Sequence, residues 1–445
     1  MNESIINSKE RMITDSLYSK ILTNINCWTQ DSRKIVYDVR SAKNGDVFDG
    51  KRIEAIDINT RKVENLYESQ DTACCGVATC SPVDGRIVFI HGPENPDDFW
   101  NYSFQHRRGV IRYADGRTKT MDACNIVPPL APGALRGGSH VHVFSGDGQL
   151  VSFTYNDHIL NVLDERNKDI SNLQEHDIDQ RNVGVAVPLR AVTVNRLHAR
   201  HHDGTHFSVL VTQTVNQPKP GSDEISKAYE EGWIGKSGYQ KPDGTIQKYA
   251  LAFLGDVVLN NGQNAAEIFS IDLPDEIADF AVPGDGPLEG TTTRRPFPPK
   301  GVVQQRLTRT ANRKYPGIQG ARHWLRSSPD GSKIAFLMKD DNGIVQLWTI
   351  SPNGGEPKPW TSGKNNVASA FTWSPDGLSI AYVMDRSLFA SSESQTIRLT
   401  PKTEDSSAPL PHAVVFSPNG KHIAFMRNIC FAKEEYFNQI FVLDV

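Results

Sequence analysis

A short Ser-Pro-Asp/Asn-Gly motif, followed by an alternating apolar segment, recurs along this 445-residue chain. Its clearest copies begin at Ser328, Ser374 and Ser417, and each precedes an Ile-Ala-aromatic sequence. Proline presets φ for a tight turn, Asp or Asn can bond its own backbone, and Gly tolerates positive φ. The β-branched and aromatic residues that follow are typical of half-buried strands. The repeated unit is therefore a tight turn between two strands.

Four weaker copies precede these three, which makes seven. They lie at Thr29–Ser32, Ser81–Gly85, Ser145–Gly148 and His201–Gly204. Repeats that place a strand on each side of a turn are typical of four-stranded blades arranged in a ring. The sequence therefore predicts an all-β fold, a seven-bladed β-propeller, with residues 1–445 as a single domain.

The interval from Asp203 to Asp330 is longer than the others. We interpret it as one blade with an insertion or long outer strands at about residues 215–300, and a hidden eighth blade is the alternative. Within it, Ser222–Trp233 resembles a short acidic helix. The chain ends before the last blade has four strands, and an open sheet edge invites aggregation. We therefore expect residues near Leu17–Leu22 to supply the missing strand.

Composition limits the partners and the compartment. The net charge is −4 and no run of Lys or Arg stands out, so nucleic acid is not an expected partner. No segment approaches the roughly 18–20 apolar residues that span a membrane, and the first residues do not form a signal peptide. The six cysteines show no disulfide framework. We expect a cytoplasmic protein with reduced, mostly buried thiols and no membrane partner.

The inner strand of each blade lines the central channel, so equivalent positions form rings. We counted back five and three residues from the Ser or equivalent residue that opens each turn. These two ring positions hold one arginine and five of the thirteen histidines: Arg196, His140, His142, His198, His323 and His412. Because His140 and His142 lie two apart on one strand, we expect them on the same side. Converging imidazoles are suited to a divalent metal with open positions. The alternative is that these residues bind channel water.

A second group of candidate residues surrounds His91. This residue ends a predicted strand just before Gly92-Pro93, and Arg107 and Arg108 lie at the start of the next strand. Arginine binds carboxylates bidentately, and a neutral histidine can act as a general base. The alternative is a loop histidine beside two surface arginines.

The Ser-Pro-Asp-Gly repeats resemble those of TolB-like propellers. Several longer runs resemble the bacterial YidR-type family over nearly the whole chain: His91–Glu94, Arg136–His142, Phe153–His158 and Asp341–Trp348. This second resemblance is specific, but it implies no established activity.

A more distant resemblance is to oligogalacturonate lyase, a cytoplasmic seven-bladed propeller. That family has a His-Glu-Gly-Pro segment, an Arg before the next strand, a His before a turn, and later a Gln and a His-x-His. The matching residues here follow in the same order: His91, Arg107 or Arg108, His140 or His142, Gln319 and His323. The resemblance implies a catalytic base, substrate binding and manganese ligation. Two features depart from it, because the first Glu is absent and the His-x-His is reduced to Arg322-His323.

The function predicted from these observations is metal-assisted β-elimination of an acidic oligosaccharide, or of another small anionic ligand, in the channel. The expected cofactor is a divalent metal, with manganese implied by the resemblance. A non-catalytic propeller that binds a protein or small ligand is the alternative. The predicted catalytic residues are His91, Arg107 and Arg108; the substrate-binding residues are Arg136, His158, Arg196 and Arg322; and the metal ligands are His140, His142, His198, His323 and Gln319.

Overall fold

The computed structural model describes residues 9–41, 44–167, 176–431 and 435–445. These residues form seven four-stranded antiparallel sheets, each a blade of the predicted seven-bladed β-propeller. Inner strands of successive blades contact one another around the ring. From inner to outer edge, the strands of blades 1 to 4 are Ser19–Ile21, Lys34–Arg40, Arg52–Asp57 and Val63–Glu68; Cys75–Cys80, Ile87–His91, Arg108–Arg112 and Thr118–Thr120; Gly137–Phe144, Val151–Asp157, Asn182–Val187 and Phe207–Leu210; and Ala228–Trp233, Ala250–Val258, Asn264–Asp272 and Val303–Arg306.

Blades 5 to 7 follow the same order. Their strands are Arg326–Ser327, Ile334–Lys339, Val345–Ser351 and Gly354–Pro359; Thr372–Trp373, Ile380–Met384, Ser387–Ser391 and Thr396–Arg398; and Pro409–Phe416, His422–Cys430, Tyr436–Asp444 and Glu10–Met12. The smaller elements are a parallel pair (Ala123–Cys124 with Ala134–Leu135), a hairpin (Tyr239–Gln240 with Ile246–Gln247), one α-helix (His158–Asn167) and two 3₁₀ helices (Ile277–Ala281 and Asp405–Ser407).

The repeated turn is held by hydrogen bonds within the motif itself. In blade 3 the Ser145 hydroxyl donates to Asp147 (2.6 Å) and accepts from the Leu150 N–H (3.0 Å). Gly148 adopts φ +69°, which an L side chain rarely adopts. Thr29 makes the same two contacts with Asp31 and Lys34. This turn chemistry explains why a Thr-Gln-Asp-Ser sequence can stand in for the full motif.

Antiparallel pairing gives the propeller two distinct faces. The inner and third strands begin on one face, here called the upper face, and the tight turns after the inner strands lie on the other. Neighbouring blades are joined near the channel by three indole N–H groups, each donating to an inner-strand carbonyl of the preceding blade: Trp28 to Val415 (3.0 Å), Trp233 to Val143 (2.9 Å) and Trp373 to Arg326 (2.9 Å). These hydrogen bonds fix the spacing between the inner strands of the neighbouring blades that they join.

The ring closes with a strand other than the predicted one. Glu10–Met12 pairs with the third strand of blade 7, whereas Ser19–Ile21, within the predicted segment Leu17–Leu22, is the inner strand of blade 1. The buried Arg427 donates two hydrogen bonds to the Glu10 carboxylate (2.8 and 2.9 Å). The first and last strands of the described chain are thus joined by an ion pair as well as by backbone pairing.

The long interval from Asp203 to Asp330 contains one blade, and the described residues form no eighth four-stranded sheet. Ala228–Trp233 is the inner strand of blade 4, so the predicted helix at Ser222–Trp233 is wrong. The turn at His201–Gly204 was also misassigned, because it leads into the outer strand of blade 3.

The actual turn of blade 4 begins at Ile234. The Ile234 N–H donates to the Ala250 carbonyl (2.9 Å), as the Ser145 N–H donates to Leu150 (2.8 Å). A hairpin, Tyr239–Gln240 with Ile246–Gln247, occupies this turn in place of the Ser-Pro-Asp-Gly motif. Ring positions in the inner strand of blade 4 must therefore be counted back from Ile234, as those of blade 3 are counted back from Ser145.

The structure also bears on the cysteines and on membrane insertion. All six cysteines are free, and four of them are buried: Cys27, Cys75, Cys80 and Cys124. No helix in the described ranges is long and apolar enough to cross a membrane.

We predict that Glu10→Ala weakens ring closure. The substitution leaves the buried Arg427 without its carboxylate, which should lower the free energy of unfolding by about 1–3 kcal/mol. Glu393→Ala is the matched control, because it removes an exposed partner of Lys333 (3.1 Å) and should cost less than about 0.5 kcal/mol. Urea unfolding followed by tryptophan fluorescence measures both. Equal effects would show that the Glu10–Arg427 pair does not stabilise closure.

Candidate ligand site at the channel mouth

A bulge in the inner strand of blade 3 separates the two central histidines. Val141 has φ +57°, and the strand pairing shifts between His140 and Val143. His142 Nε2 hydrogen-bonds with the Ser139 hydroxyl (2.9 Å) and lies 3.9 Å from the Asp122 carboxylate. His140 instead lies near Phe104, with 6.1 Å between ring centroids. Because the bulge interrupts strand alternation, the expectation that the two rings share one side is wrong.

Three arginines surround the upper mouth of the channel near His140. Arg107 precedes the third strand of blade 2, Arg181 precedes the third strand of blade 3, and Arg322 precedes the inner strand of blade 5. All three therefore approach from the upper face. Burial, together with the positive charges of these arginines, lowers the pKa of His140 well below its usual value. His140 is neutral at neutral pH, and its Nδ1 has no hydrogen-bond partner in the described structure.

Arg107 is held by aromatic rings rather than by an acid. Its guanidinium lies 4.7 Å from the ring centroids of both Tyr102 and Phe104, and Arg181 lies 5.1 Å from Phe104. Nε of Arg107 is buried without a hydrogen-bond partner among the described residues. Burial, together with the charges of Arg181 and Arg322, lowers the pKa of Arg107. Uncompensated buried charge is costly, so this position favours an anion.

Acidic residues of blade 4 lie beside and below the arginines. Glu230 accepts a hydrogen bond from Arg322 (3.2 Å), which compensates part of the positive charge. Glu231 is buried against blade 3, where it accepts a hydrogen bond from Thr154 (2.9 Å), and burial raises its pKa to about 7. Its Oε1 has no hydrogen-bond partner in the described ranges. The mouth thus carries more positive than negative charge, and a buried carboxyl group with a raised pKa lies in the neighbouring blade 4.

His91 is not open to a ligand in the structure. It is buried, its Nδ1–H donates to the Gly92 carbonyl (2.6 Å), and its Nε2 accepts from the Tyr67 hydroxyl (2.9 Å). Burial lowers its pKa to about 4. Arg108 is likewise occupied, because it forms a two-point ion pair with Glu94. Of the three predicted catalytic residues, only Arg107 lies at the mouth.

The predicted substrate-binding residues are dispersed. Arg136 is buried and pairs with Asp157 (2.6 Å), which makes it part of the core of blade 3. Arg196 is exposed and pairs with Asp203 (2.9 Å); its channel position had been inferred from the misassigned turn. His158 begins the helix His158–Asn167, outside the arginine group. Arg322 is the member of this set at the mouth.

The predicted metal ligands do not converge. His198 contacts Trp100 and His201 rather than the channel histidines, because its register was also taken from the misassigned turn. Both ring nitrogens of His323 are used: Nδ1–H donates to the Ala321 carbonyl (2.9 Å), and Nε2 accepts from the Leu337 N–H (3.2 Å). The Gln319 amide donates to the Pro316 carbonyl (2.6 Å). Among the described residues, no three His, Cys, Asp or Glu side chains are grouped so that they could hold a metal ion.

Sequence reasoning missed several residues of the mouth. With the register of blade 4 counted from Ile234, Glu231 occupies the same ring as His142, and Glu230 matches Val141. Correct placement of that turn would have found both carboxylates. Arg181 and Phe104 lie in loops between the second and third strands, where no repeated motif fixes their position.

The chain is 46% identical over 418 residues to a protein of Escherichia coli (strain K12) named "Uncharacterized protein YidR", with 94% of each chain covered. The chain belongs to the YidR family. Residues 74–202 of this YidR family member also match the family described as "Protein of unknown function (DUF3748)". That segment includes His91, Arg107 and His140, so it spans part of the mouth.

Two solved structures are similar in fold to this YidR family member. An oligogalacturonate lyase in complex with manganese matches with a TM-score of 0.57 and 12% identity, over 100% of this chain and 95% of that one. An oligogalacturonate lyase from Vibrio parahaemolyticus matches with a TM-score of 0.54 and 10% identity, over 100% and 99%. At this identity the likeness shows the propeller fold. The predicted ligand residues described above do not fit a manganese ion.

We predict that His91 contributes to acid sensitivity of the fold. Its folded pKa of about 4 lies below the value of about 6.5 expected in the unfolded chain. The unfolded state therefore binds a proton that the folded state does not, and stability falls as the pH drops from about 6.5 towards 4. His91→Gln should reduce the slope of unfolding free energy by up to about 1.4 kcal/mol per pH unit between about pH 6 and 5.

Urea unfolding at several pH values measures this slope. The same variant at about pH 8 reports the cost of its lost hydrogen bonds separately, because histidine is neutral there in both states. An unchanged slope would contradict the neutral, buried assignment of His91.

Proposed function

We propose that this protein binds an acidic saccharide at the upper mouth of the channel, with a sugar carboxylate held by Arg107, Arg181 and Arg322. The observation that carries the proposal is the group of three arginines from three different segments, in which Arg107 is largely buried against aromatic rings and its Nε lacks a partner among the described residues. Guanidinium groups match the planar geometry of carboxylates. A bound carboxylate would compensate charge that the described mouth leaves only partly paired.

We further propose β-elimination as the reaction, with His140 in place of His91 as the base. Neutralisation of a uronate carboxylate by the arginines makes the C5 proton more acidic. His140 is buried beside the arginines and neutral, and a neutral imidazole is the form that can accept that proton. The C5–H electrons form the C4–C5 double bond, the C4–O bond breaks with its electron pair, and the leaving oxygen takes a proton from water. No step in this proposal uses a metal.

The likeness in fold to oligogalacturonate lyases supports a saccharide rather than a small inorganic anion as the ligand. The cytoplasm is the compartment we propose, because the cysteines are free and mostly buried.

We predict that Arg322→Ala weakens binding of oligogalacturonate about tenfold, because it removes a charge-assisted contact at an exposed position. Arg117→Ala is the matched control, since Arg117 is also an exposed arginine paired with an acid, Asp115 (2.6 Å), and lies on the outer hairpin of blade 2. Isothermal titration calorimetry measures both affinities, and raised salt should weaken the wild-type interaction. Equal affinities of the two variants would contradict the proposed carboxylate site.

We predict that His140→Gln retains oligogalacturonate affinity but loses formation of unsaturated product, because the base is removed while the arginines stay. Ultraviolet absorbance of the conjugated product measures turnover, and calorimetry measures binding. Full turnover by the variant would exclude His140 as the base. Binding without turnover by the wild-type protein would favour the non-catalytic alternative.

A further inference from the structure

A second group of side chains forms a rim beside the mouth. It consists of Phe99, Trp100, His106, His158 and His198, and is called the aromatic rim below. His106 stacks on Trp100 at 3.8 Å between ring centroids, and His158 meets the same indole edge-on at 4.7 Å. Trp100 also lies 6.0 Å from His198. Four of these five side chains therefore form one cluster around a single indole.

Phe99 is presented to solvent on a rigid turn. Phe99 is 92% exposed, although burial of such a ring is favourable. Asp97 accepts hydrogen bonds from the N–H groups of Phe99 (2.9 Å) and Trp100 (2.7 Å). Arg200 donates to the carbonyls of Glu94 and Asn95 and to the Asp97 carboxylate (3.0 Å). The backbone that carries the exposed ring is thus held in place before any ligand arrives.

The aromatic rim and Arg107 of the mouth border one cavity. This cavity, of about 390 Å³, is lined by Arg107, Trp100 and Arg200 among others. A second cavity, of about 520 Å³, shares Trp100 and Arg200 and extends to Phe99, His158 and His198. The shared lining by Trp100 and Arg200 places Phe99 beside the cavity that Arg107 borders, which is the direction we assign to a chain ligand anchored at Arg107.

The charge of the two ends differs. The mouth holds three arginines, whereas at the rim Arg200, the one arginine among the described residues lining the second cavity, is already paired with Asp97. His158 donates through Nδ1 to Nε2 of His106 (3.1 Å), because the other nitrogen of His106 donates to the Asn101 carbonyl. Burial lowers the pKa of both imidazoles, which supports their being neutral. The rim thus offers uncharged ring faces and a carboxylate, but no unpaired cation among its described residues.

We infer that the aromatic rim accommodates an uncharged sugar ring, so that the ligand is a saccharide with an acidic unit at the mouth joined to a neutral unit, rather than a chain of uronic acids. This inference rests on the proposed carboxylate site. A second carboxylate at the rim would lose its water beside Asp97 without gaining a free cation. A neutral ring can lie against the exposed ring of Phe99 without that cost.

The test uses three probes that share one acid: galacturonate, digalacturonate, and a disaccharide of galacturonate linked to a neutral sugar. Calorimetry with the wild-type protein should show the mixed disaccharide binding about tenfold more tightly than digalacturonate. Phe99→Ala should weaken the mixed disaccharide by roughly fivefold and leave galacturonate unchanged, because only the rim contact is removed. Leu378→Ala removes another exposed apolar side chain, on the turn face, and should change neither affinity.

Digalacturonate binding as tightly as the mixed disaccharide, or wild-type affinity of Phe99→Ala for the mixed disaccharide, would overturn the inference and leave the carboxylate site standing. No measurable binding of any of the three probes would overturn the proposed function itself, and the inference with it.

Discussion

Closure of the ring is the constraint on which the rest of the structure depends. Seven sheets can present their inner strands to one channel only if the last blade is completed, and Glu10–Met12 completes it by pairing with the third strand of blade 7. The Glu10–Arg427 ion pair and the indole hydrogen bonds between blades then fix the spacing of the inner strands. Arginines that are far apart in the sequence meet at the mouth because three separate blades are held at that spacing.

The sequence predicts the blades because the turn chemistry is local. Serine, Asp and Gly in one motif make the same hydrogen bonds wherever they occur, as Ser145, Asp147 and Gly148 illustrate. The turn of the fourth blade was not predicted, because a hairpin follows Trp233 in place of the motif. An unrelated Asp-Gly at residues 203–204 was assigned to that blade because it resembles the motif. Because of that single error, the predicted channel included Arg196 and His198 and omitted Glu230 and Glu231.

The predicted site residues lie apart for a second reason, which is the backbone conformation of the inner strands. Val77, Val141 and Glu230 each have positive φ at a bulge in blades 2, 3 and 4. Such a conformation is a rare outlier for a β-branched residue, so no propensity of the sequence reveals it. Side chains on either side of a bulge no longer alternate. His140 and His142 therefore do not point the same way, as the metal site inferred from alternation required. The rings of His91 and His323, for which the resemblance implied a base and a metal ligand, have both nitrogens occupied by hydrogen bonds.

The electrostatics of the mouth couple ligand binding to the basicity of His140. Without a ligand, burial and the charges of Arg107, Arg181 and Arg322 hold the pKa of His140 well below its usual value, so the imidazole is neutral but a weak base. A carboxylate bound among these arginines cancels part of their charge and adds a negative charge near the imidazole, and both effects favour the protonated form. The pKa of His140 must therefore rise when an anionic ligand binds. Under the proposed reaction, His140 becomes an effective base only after the uronate carboxylate has bound. The same carboxylate, once neutralised by the arginines, is what makes the C5 proton acidic.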